Sequence, residues 1–169
     1  MEQIAWCVTE WREGKAVWVR VFQTEAEALE AAKQRSNVDL ARRALEGWIA
    51  LGAAGDEAFL GECYADDCVS EDFPELPDGG TYLGRDGALV RYRNFVDVWG
   101  NFTIKPVDFI EAGDDAVITV VTMAGHGEES GIPVDFQVAL IWDMRDGAIV
   151  RDRAFTSRSE ALAVAGVTE

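Results

Sequence analysis

Histidine occurs once in this sequence, at position 126, and cysteine three times. A lone His126 without a second His or a Cys beside it cannot complete a zinc site, so no metal is expected. Ser157 and Thr156 have no associated His either, which removes a Ser-His nucleophile. Cys7, Cys63 and Cys68 are odd in number and lack CxxC spacing. That excludes a disulfide framework and a zinc ribbon and leaves them as small hydrophobes. Positive charge is also scarce, with 15 Lys and Arg against 31 Asp and Glu and a net charge of −16. So acidic a chain repels phosphate backbones and anionic lipid, and neither nucleic acid nor a membrane surface is an expected partner. The short basic clusters Arg42-Arg43 and Arg91-Tyr92-Arg93 fall in helical patterns among apolar residues and read as solvated charge. No apolar run approaches the roughly eighteen residues of a membrane span, and MEQIAWCVTE lacks the basic and apolar regions of a signal peptide. A soluble cytoplasmic protein is the expectation. The glycines of Leu83-Gly84-Arg85-Asp86-Gly87 do not follow a βαβ strand, so no dinucleotide fingerprint and no cofactor is expected.

What the chain does contain is the same stretch twice. REGKAVWVRVFQTEAEALEAA at 12–32 and RDGAIVRDRAFTSRSEALAVA at 145–165 align without a gap. Arg12 meets Arg145, Gly14 meets Gly147, Val17 meets Val150, Arg20 meets Arg153 and Phe22 meets Phe155. In each copy a charged pair and a Gly separate two apolar-rich runs, the pattern of a hairpin whose Gly supplies a positive φ. Each then reaches a capping box, Thr24-x-x-Glu27 or Ser157-x-x-Glu160, that opens a helix. Strand, turn, strand and capped helix therefore recur at both ends, which reads as a partial internal duplication. Trp11, Val17, Trp18, Val19 and Phe22 make the first copy too apolar to stand exposed. It is expected to extend or cover a sheet in its own subunit or a partner.

Between the copies the pattern is helical first. Ser36-Asn37 offers an N-cap, followed by Val38, Leu40, Ala41, Ala44, Leu45, Trp48 and Leu51 at helical spacing. A short helix is predicted over 56–64, a short strand over 68–73, a loop at PELPDGG, and a third helix over 86–99. Strands follow at 102–111, 116–124, 134–144 and 148–156. Three helices and then a four-stranded antiparallel meander make an α+β domain at 36–169, with the hairpin-helix unit at 1–35 as an addition.

The stretches YADDCVSEDFPELPDGGTYLGRDGALVRY, FIEAGDDAVITVV and FQVALIWDMRDGAIVRDRAF carry a resemblance. Over residues 37–166 the chain resembles the SnoaL-like polyketide cyclase group of the nuclear transport factor 2-like superfamily. The resemblance implies a cone in which a curved antiparallel sheet wraps around three helices and leaves an apolar pocket at one end. It also implies a homodimer through the outer face of the sheet. Asp72 falls on the position of the general base of ketosteroid isomerases. In period two, Cys68, Ser70 and Asp72 share a face, and a carboxylate at an apolar pocket is suited to exchanging protons beside a carbonyl. The isomerase oxyanion-hole positions correspond to Ala44 and Leu140, neither of which donates a hydrogen bond. Limonene-type epoxide hydrolases use an Arg and two Asp, whose counterparts here are Val121, Met123 and Ala154.

By alternation Thr119, Val121, Met123, Val138, Leu140, Trp142, Val150, Asp152 and Ala154 face the pocket, joined from the helices by Trp48, Tyr92, Phe95 and Trp99. Asp152 is a second carboxylate in this lining. With Asp72 it could form an acid/base dyad, or each could be tied to a neighbour: Asp72 to its loop, Asp152 to Arg91, Arg151 or Arg153. The expected ligand is a small hydrophobic molecule, with cofactor-free isomerase, cyclase or dehydratase-type proton transfer by Asp72. The alternative is a module of the same fold that binds or dimerises without chemistry.

Overall fold

The computed structural model describes residues 5–12, 15–74, 79–99, 102–126 and 133–168. The chain divides into two compact units, Met1–Ser36 and Asn37–Glu169. In the first, β1 (Trp6–Arg12) and β2 (Lys15–Phe22) pair antiparallel as a two-stranded sheet, from Trp6↔Phe22 to Arg12↔Lys15 with a register shift between Glu10 and Trp11. Glu13 and Gly14 of the expected turn, and the side chains of Trp11 and Val17, lie outside the described residues. α1 (Glu25–Ala54) opens with the capping box that the sequence specifies. The Glu27 N–H donates to Thr24 Oγ1 at 3.3 Å, and the Thr24 N–H donates to Glu27 Oε2 at 3.2 Å. Arg35 lies 5.3 Å over the Trp18 ring.

Two helices were to meet at Ser36-Asn37, yet α1 runs through without a break. Asn37 does not cap; its Nδ2 donates instead to the Asp114 carbonyl at 3.0 Å. With its side chain engaged by a distant loop, Asn37 leaves the helical ladder uninterrupted.

The second unit continues with α2 (Ala58–Cys63), β3 (Tyr64–Glu71), β4 (Thr81–Leu83), α3 (Gly84–Trp99), β5 (Phe102–Glu111), β6 (Ala116–His126), β7 (Pro133–Arg145), β8 (Ala148–Phe155) and α4 (Arg158–Ala165). Its sheet has six strands in the order β4-β3-β8-β7-β6-β5. The meander β5 to β8 is antiparallel as expected, and β3 adds to β8 in parallel, making the sheet mixed. β3 begins at Tyr64, earlier than the predicted strand, because α2 ends at Cys63. β4 was not expected; its three residues pair with β3 from Val69↔Leu83 to Glu71↔Thr81.

The inner face of the sheet closes over the helices. Leu40, Ala41 and Ala44 of α1, Leu60 and Cys63 of α2, and Ala88 and Leu89 of α3 meet Cys68, Val117, Trp142 and Ile149 in one buried cluster. Each large apolar side chain sealed there contributes about 1.5–3 kcal/mol. Gly47 is required by this packing, since a Cβ there would fall 2.2 Å from the Phe59 ring. On the other face, Ala161 and Leu162 of α4 cover Ile118, Ala139, Ile141 and Phe155. α4 starts at Ser157, whose Oγ accepts the Glu160 N–H at 3.2 Å, and ends at Gly166 with φ +69°. The β7–β8 turn is a two-residue loop, Asp146-Gly147, with φ +53° and +77°, as a type I′ hairpin demands.

Candidate functional site

Inside the curve of the sheet lies a cavity of about 110 Å³. α1 lends it Leu45 and Trp48, and α3 presents Ala88, Arg91, Tyr92 and Phe95 at helical spacing. Alternation brings Val121 and Met123 from β6, Val138, Leu140 and Trp142 from β7, and Asp152 and Ala154 from β8. Phe102 and Ile104 complete the β5 wall, Ile104 directly opposite Met123. The two pocket tryptophans spend their N–H groups elsewhere: Trp48 donates to the Tyr64 hydroxyl at 2.7 Å and Trp142 to Thr119 Oγ1 at 2.8 Å. Only their apolar surfaces are left for the cavity. Tyr92 stacks on Trp48 at 5.2 Å, and Phe95 meets Phe102 edge-on at 4.9 Å.

One corner is polar. β3 ends at Glu71, so Asp72 is the first residue of the following loop, and it closes that loop twice: its N–H donates to the Gly80 carbonyl at 3.1 Å, and its Oδ2 accepts the Gly80 N–H at 3.2 Å. Asp72 Oδ1 accepts from Arg91 Nε at 2.9 Å. Arg91 Nη1 reaches across to Asp152 Oδ2 at 2.5 Å, and the hydroxyl of Ser70 donates to Asp152 Oδ1. Ser70 and Asp152 are opposite each other in the parallel β3–β8 pairing, which fixes that contact. The side chain of Asp152 is 3% exposed, that of Arg91 16% and that of Asp72 19%. Burial opposes the charge of Arg91, but Asp152 and then Asp72 outweigh it and hold the guanidinium above its usual pKa. Nearby, burial and then the charge of Asp152 push the Tyr64 phenol well up, so it stays protonated. The same two causes push the Cys68 thiol up to about 11, which keeps it inert.

Arg85 sets the pose of α3. Its Nε donates to the Tyr64 carbonyl at 2.9 Å and its Nη1 pairs with Asp66 at 2.6 Å, pinning the first turn of α3 to the start of β3. Two turns later Arg91 emerges between Asp72 and Asp152. The two arginines of β8 are engaged elsewhere: Arg151 pairs with Glu71 and Arg153 with Asp143.

Among the residues anticipated from sequence, the structure brings Asp72, Asp152, Trp48, Tyr92, Phe95, Val121, Met123, Leu140 and Trp142 to one cavity. The side chain of Trp99 lies outside the described residues. Thr119 does not line the cavity; it is buried as the partner of Trp142. Val150 is absent from the lining, next to a register shift at Asp143/Met144 that disturbs simple alternation. Ala44 is core, and its neighbour Leu45 takes the wall. Arg91 was anticipated as one of three partners for Asp152, yet it joins both carboxylates. The signal was an Arg at i+3 from Ala88 and i−4 from Phe95 on an otherwise apolar face. His126 is exposed at the end of β6, and among the described residues no cluster of His, Cys, Asp and Glu could hold a metal ion. No helix among them is long and apolar enough to cross a membrane.

A mixed α+β domain with a curved sheet closed over three helices, and a cavity inside the curve, is the nuclear transport factor 2-like class of fold. The SnoaL-like domain family matches residues 42–152, and the chain belongs to that family. A candidate SnoaL-like polyketide cyclase from Jannaschia sp. CCS1 is similar in structure, with a TM-score of 0.63 and 17% identity over 81% of this chain and 96% of that one. A protein with a ketosteroid isomerase-like fold from Catenulispora acidiphila DSM 44928, in complex with trimethylamine, has a TM-score of 0.55 and 22% identity, covering 73% of this chain and 92% of that one. TerC, co-crystallised with polyporic acid, has a TM-score of 0.58 and 21% identity, covering 78% and 98%. No curated protein matches the chain in sequence.

Proposed function

We propose that this SnoaL-like protein binds a small, largely apolar molecule in the cavity and performs cofactor-free proton transfer on it, with Asp72 as the proton acceptor. The observation that carries the reading is a single polar corner, Asp72–Arg91–Asp152, on an otherwise apolar and aromatic wall. Such a wall binds through burial while a few polar groups orient the guest. The cavity of about 110 Å³ suits a molecule with a single ring; an engineered cavity of about 150 Å³ binds benzene. Of the two carboxylates, Asp72 is the more accessible, while Asp152 is sealed between Ser70 and Arg91.

A second reading, a pocket that binds without chemistry, is favoured by one observation: each carboxylate already accepts at both oxygens. Cyclohexanone in D2O separates the two. In proton transfer, Asp72 takes a proton from the carbon beside the carbonyl, the C–H pair becomes a C=C bond, and the carbonyl π pair moves to oxygen. Exchange of the carboxyl proton with solvent and the reverse step place deuterium on carbon. The wild type is expected to accelerate loss of the α-proton NMR signal by about 10²-fold or more, and Asp72→Asn to fall to the buffer rate. Ring binding without exchange would assign the pocket to the second reading.

A further inference from the structure

Arg91 has five N–H donors, and the two carboxylates account for only part of them. Nε serves Asp72 and Nη1 serves Asp152. Nη2 has no hydrogen-bond partner among the described residues, and it is not one of the polar atoms sealed from solvent without one. The residue lines the cavity. Its guanidinium is held in place by two carboxylates, so a donor is fixed in position at the polar corner before any ligand arrives. Among the described residues of the lining, Trp48 and Trp142 donate elsewhere and Asp72 and Asp152 accept. The phenol of Tyr92 lies at the far end of the ring, 2.6 Å from where a Cβ on Gly52 of α1 would stand.

We propose that Arg91, through Nη2, donates a hydrogen bond to an oxygen of the bound molecule, and that the ligand class is therefore a neutral ring ketone or related carbonyl. This rests on the pocket being a ligand site, as above. A ligand without an oxygen would leave the N–H pair desolvated and unpaired, which costs affinity. A ligand carboxylate would meet two carboxylates against one guanidinium, in a chain of net charge −16, and is disfavoured. A neutral carbonyl satisfies the donor without adding charge. In the exchange reaction the same N–H would carry the negative charge developing on the enolate oxygen, work for which Ala44 and Leu140 provide no donor.

The test uses the full chain and three probes of one size: cyclohexanone labelled with 13C at the carbonyl, methylenecyclohexane and cyclohexanecarboxylate. Binding is followed by tryptophan fluorescence, since Trp48 and Trp142 line the cavity. The ketone is expected to bind about tenfold more tightly than methylenecyclohexane, with the carboxylate weakest, and its carbonyl 13C resonance to move downfield on binding. Arg91→Lys keeps a cation between the acids without Nη2, so ketone affinity should fall about tenfold and the carbonyl shift disappear, while methylenecyclohexane, no longer facing an unpaired N–H, should lose no affinity. Should Arg91→Lys fail to fold, the carbonyl shift and the probe ranking in the wild type decide alone. A ketone that binds with an unshifted resonance, or no tighter than methylenecyclohexane, overturns the inference while leaving the pocket intact. Binding of none of the probes overturns both. A shifted ketone without deuterium exchange upholds the Arg91 contact and removes the catalysis.

Discussion

Arg91 holds the polar corner together, and the consequences can be ranked residue by residue. Its removal, as in Arg91→Met, leaves Asp72 and Asp152 facing each other with no cation between them. Losing one partner of a buried pair costs about 3–5 kcal/mol, and Arg91→Met belongs at the upper end. Asp152→Ala strands the Ser70 hydroxyl but leaves Arg91 paired with Asp72, so about 3 kcal/mol is expected. Asp72→Ala loses a more accessible partner and one loop contact, and should cost about 1–2 kcal/mol. Urea unfolding of the three variants checks the order; Asp72→Ala proving the most damaging would show that the loop, not the guanidinium, is the structural centre. Much of this corner was legible in the sequence. Alternation along 148–156 put Asp152 inward, and period two put Ser70 and Asp72 on one side. What alternation could not supply was the parallel pairing of β3 with β8, which sets Ser70 beside Asp152 and brings two distant strands within reach of one helix residue.

At the scale of elements, the two copies of the repeat show what a local pattern fixes. A hydroxyl-capped helix start and paired strands form at both ends of the chain, because hydroxyl and backbone N–H lie within four residues; the first copy adds the reciprocal bond from the Thr24 N–H to Glu27. The helices that follow differ: 30 residues after the first copy and 8 after the second. That difference was not legible from the caps, since Gly166 stops α4, whereas Asn37 reads as a helix start and is drawn off by Asp114 instead. The β7–β8 turn allows a direct check. Ala at position 147 would sit at φ +77°, where an L side chain costs about 1–2 kcal/mol. Gly61 lies within α2, and a Cβ added there would meet no atom within 4 Å, so Ala should add about 1 kcal/mol of helix propensity. Gly147→Ala is thus expected to lower Tm by several degrees and Gly61→Ala to raise it by roughly 2–4 °C. Equal shifts of one sign in thermal unfolding would mean that the turn is not held in the left-handed region.

For the whole molecule, charge and the outer face of the sheet act together. α4 takes the part of that face formed by Ile118, Ala139, Ile141 and Phe155, so a homodimer through the sheet has to use the other end. There, pairing places Thr103, Lys105, Thr122, Ala124, Asp135 and Gln137 on one side. All are exposed or partly exposed, and all but Ala124 are polar. An interface built on such a strip gains less from apolar burial than from hydrogen bonds and shape, and each copy brings a net charge of −16. Repulsion between the copies is screened at about 0.15 M salt, where the Debye length is about 8 Å, and far less at about 0.01 M, where it is about 30 Å. The expected outcome in sedimentation is twice the 18.5 kDa chain mass at the higher salt, shifting toward a single chain at the lower. Thr122→Arg, at the centre of the strip, should give a single chain at both. A wild-type chain that sediments at 18.5 kDa at every salt concentration would rule out the dimer, and a dimer indifferent to Thr122→Arg would move the contact off this face of the sheet.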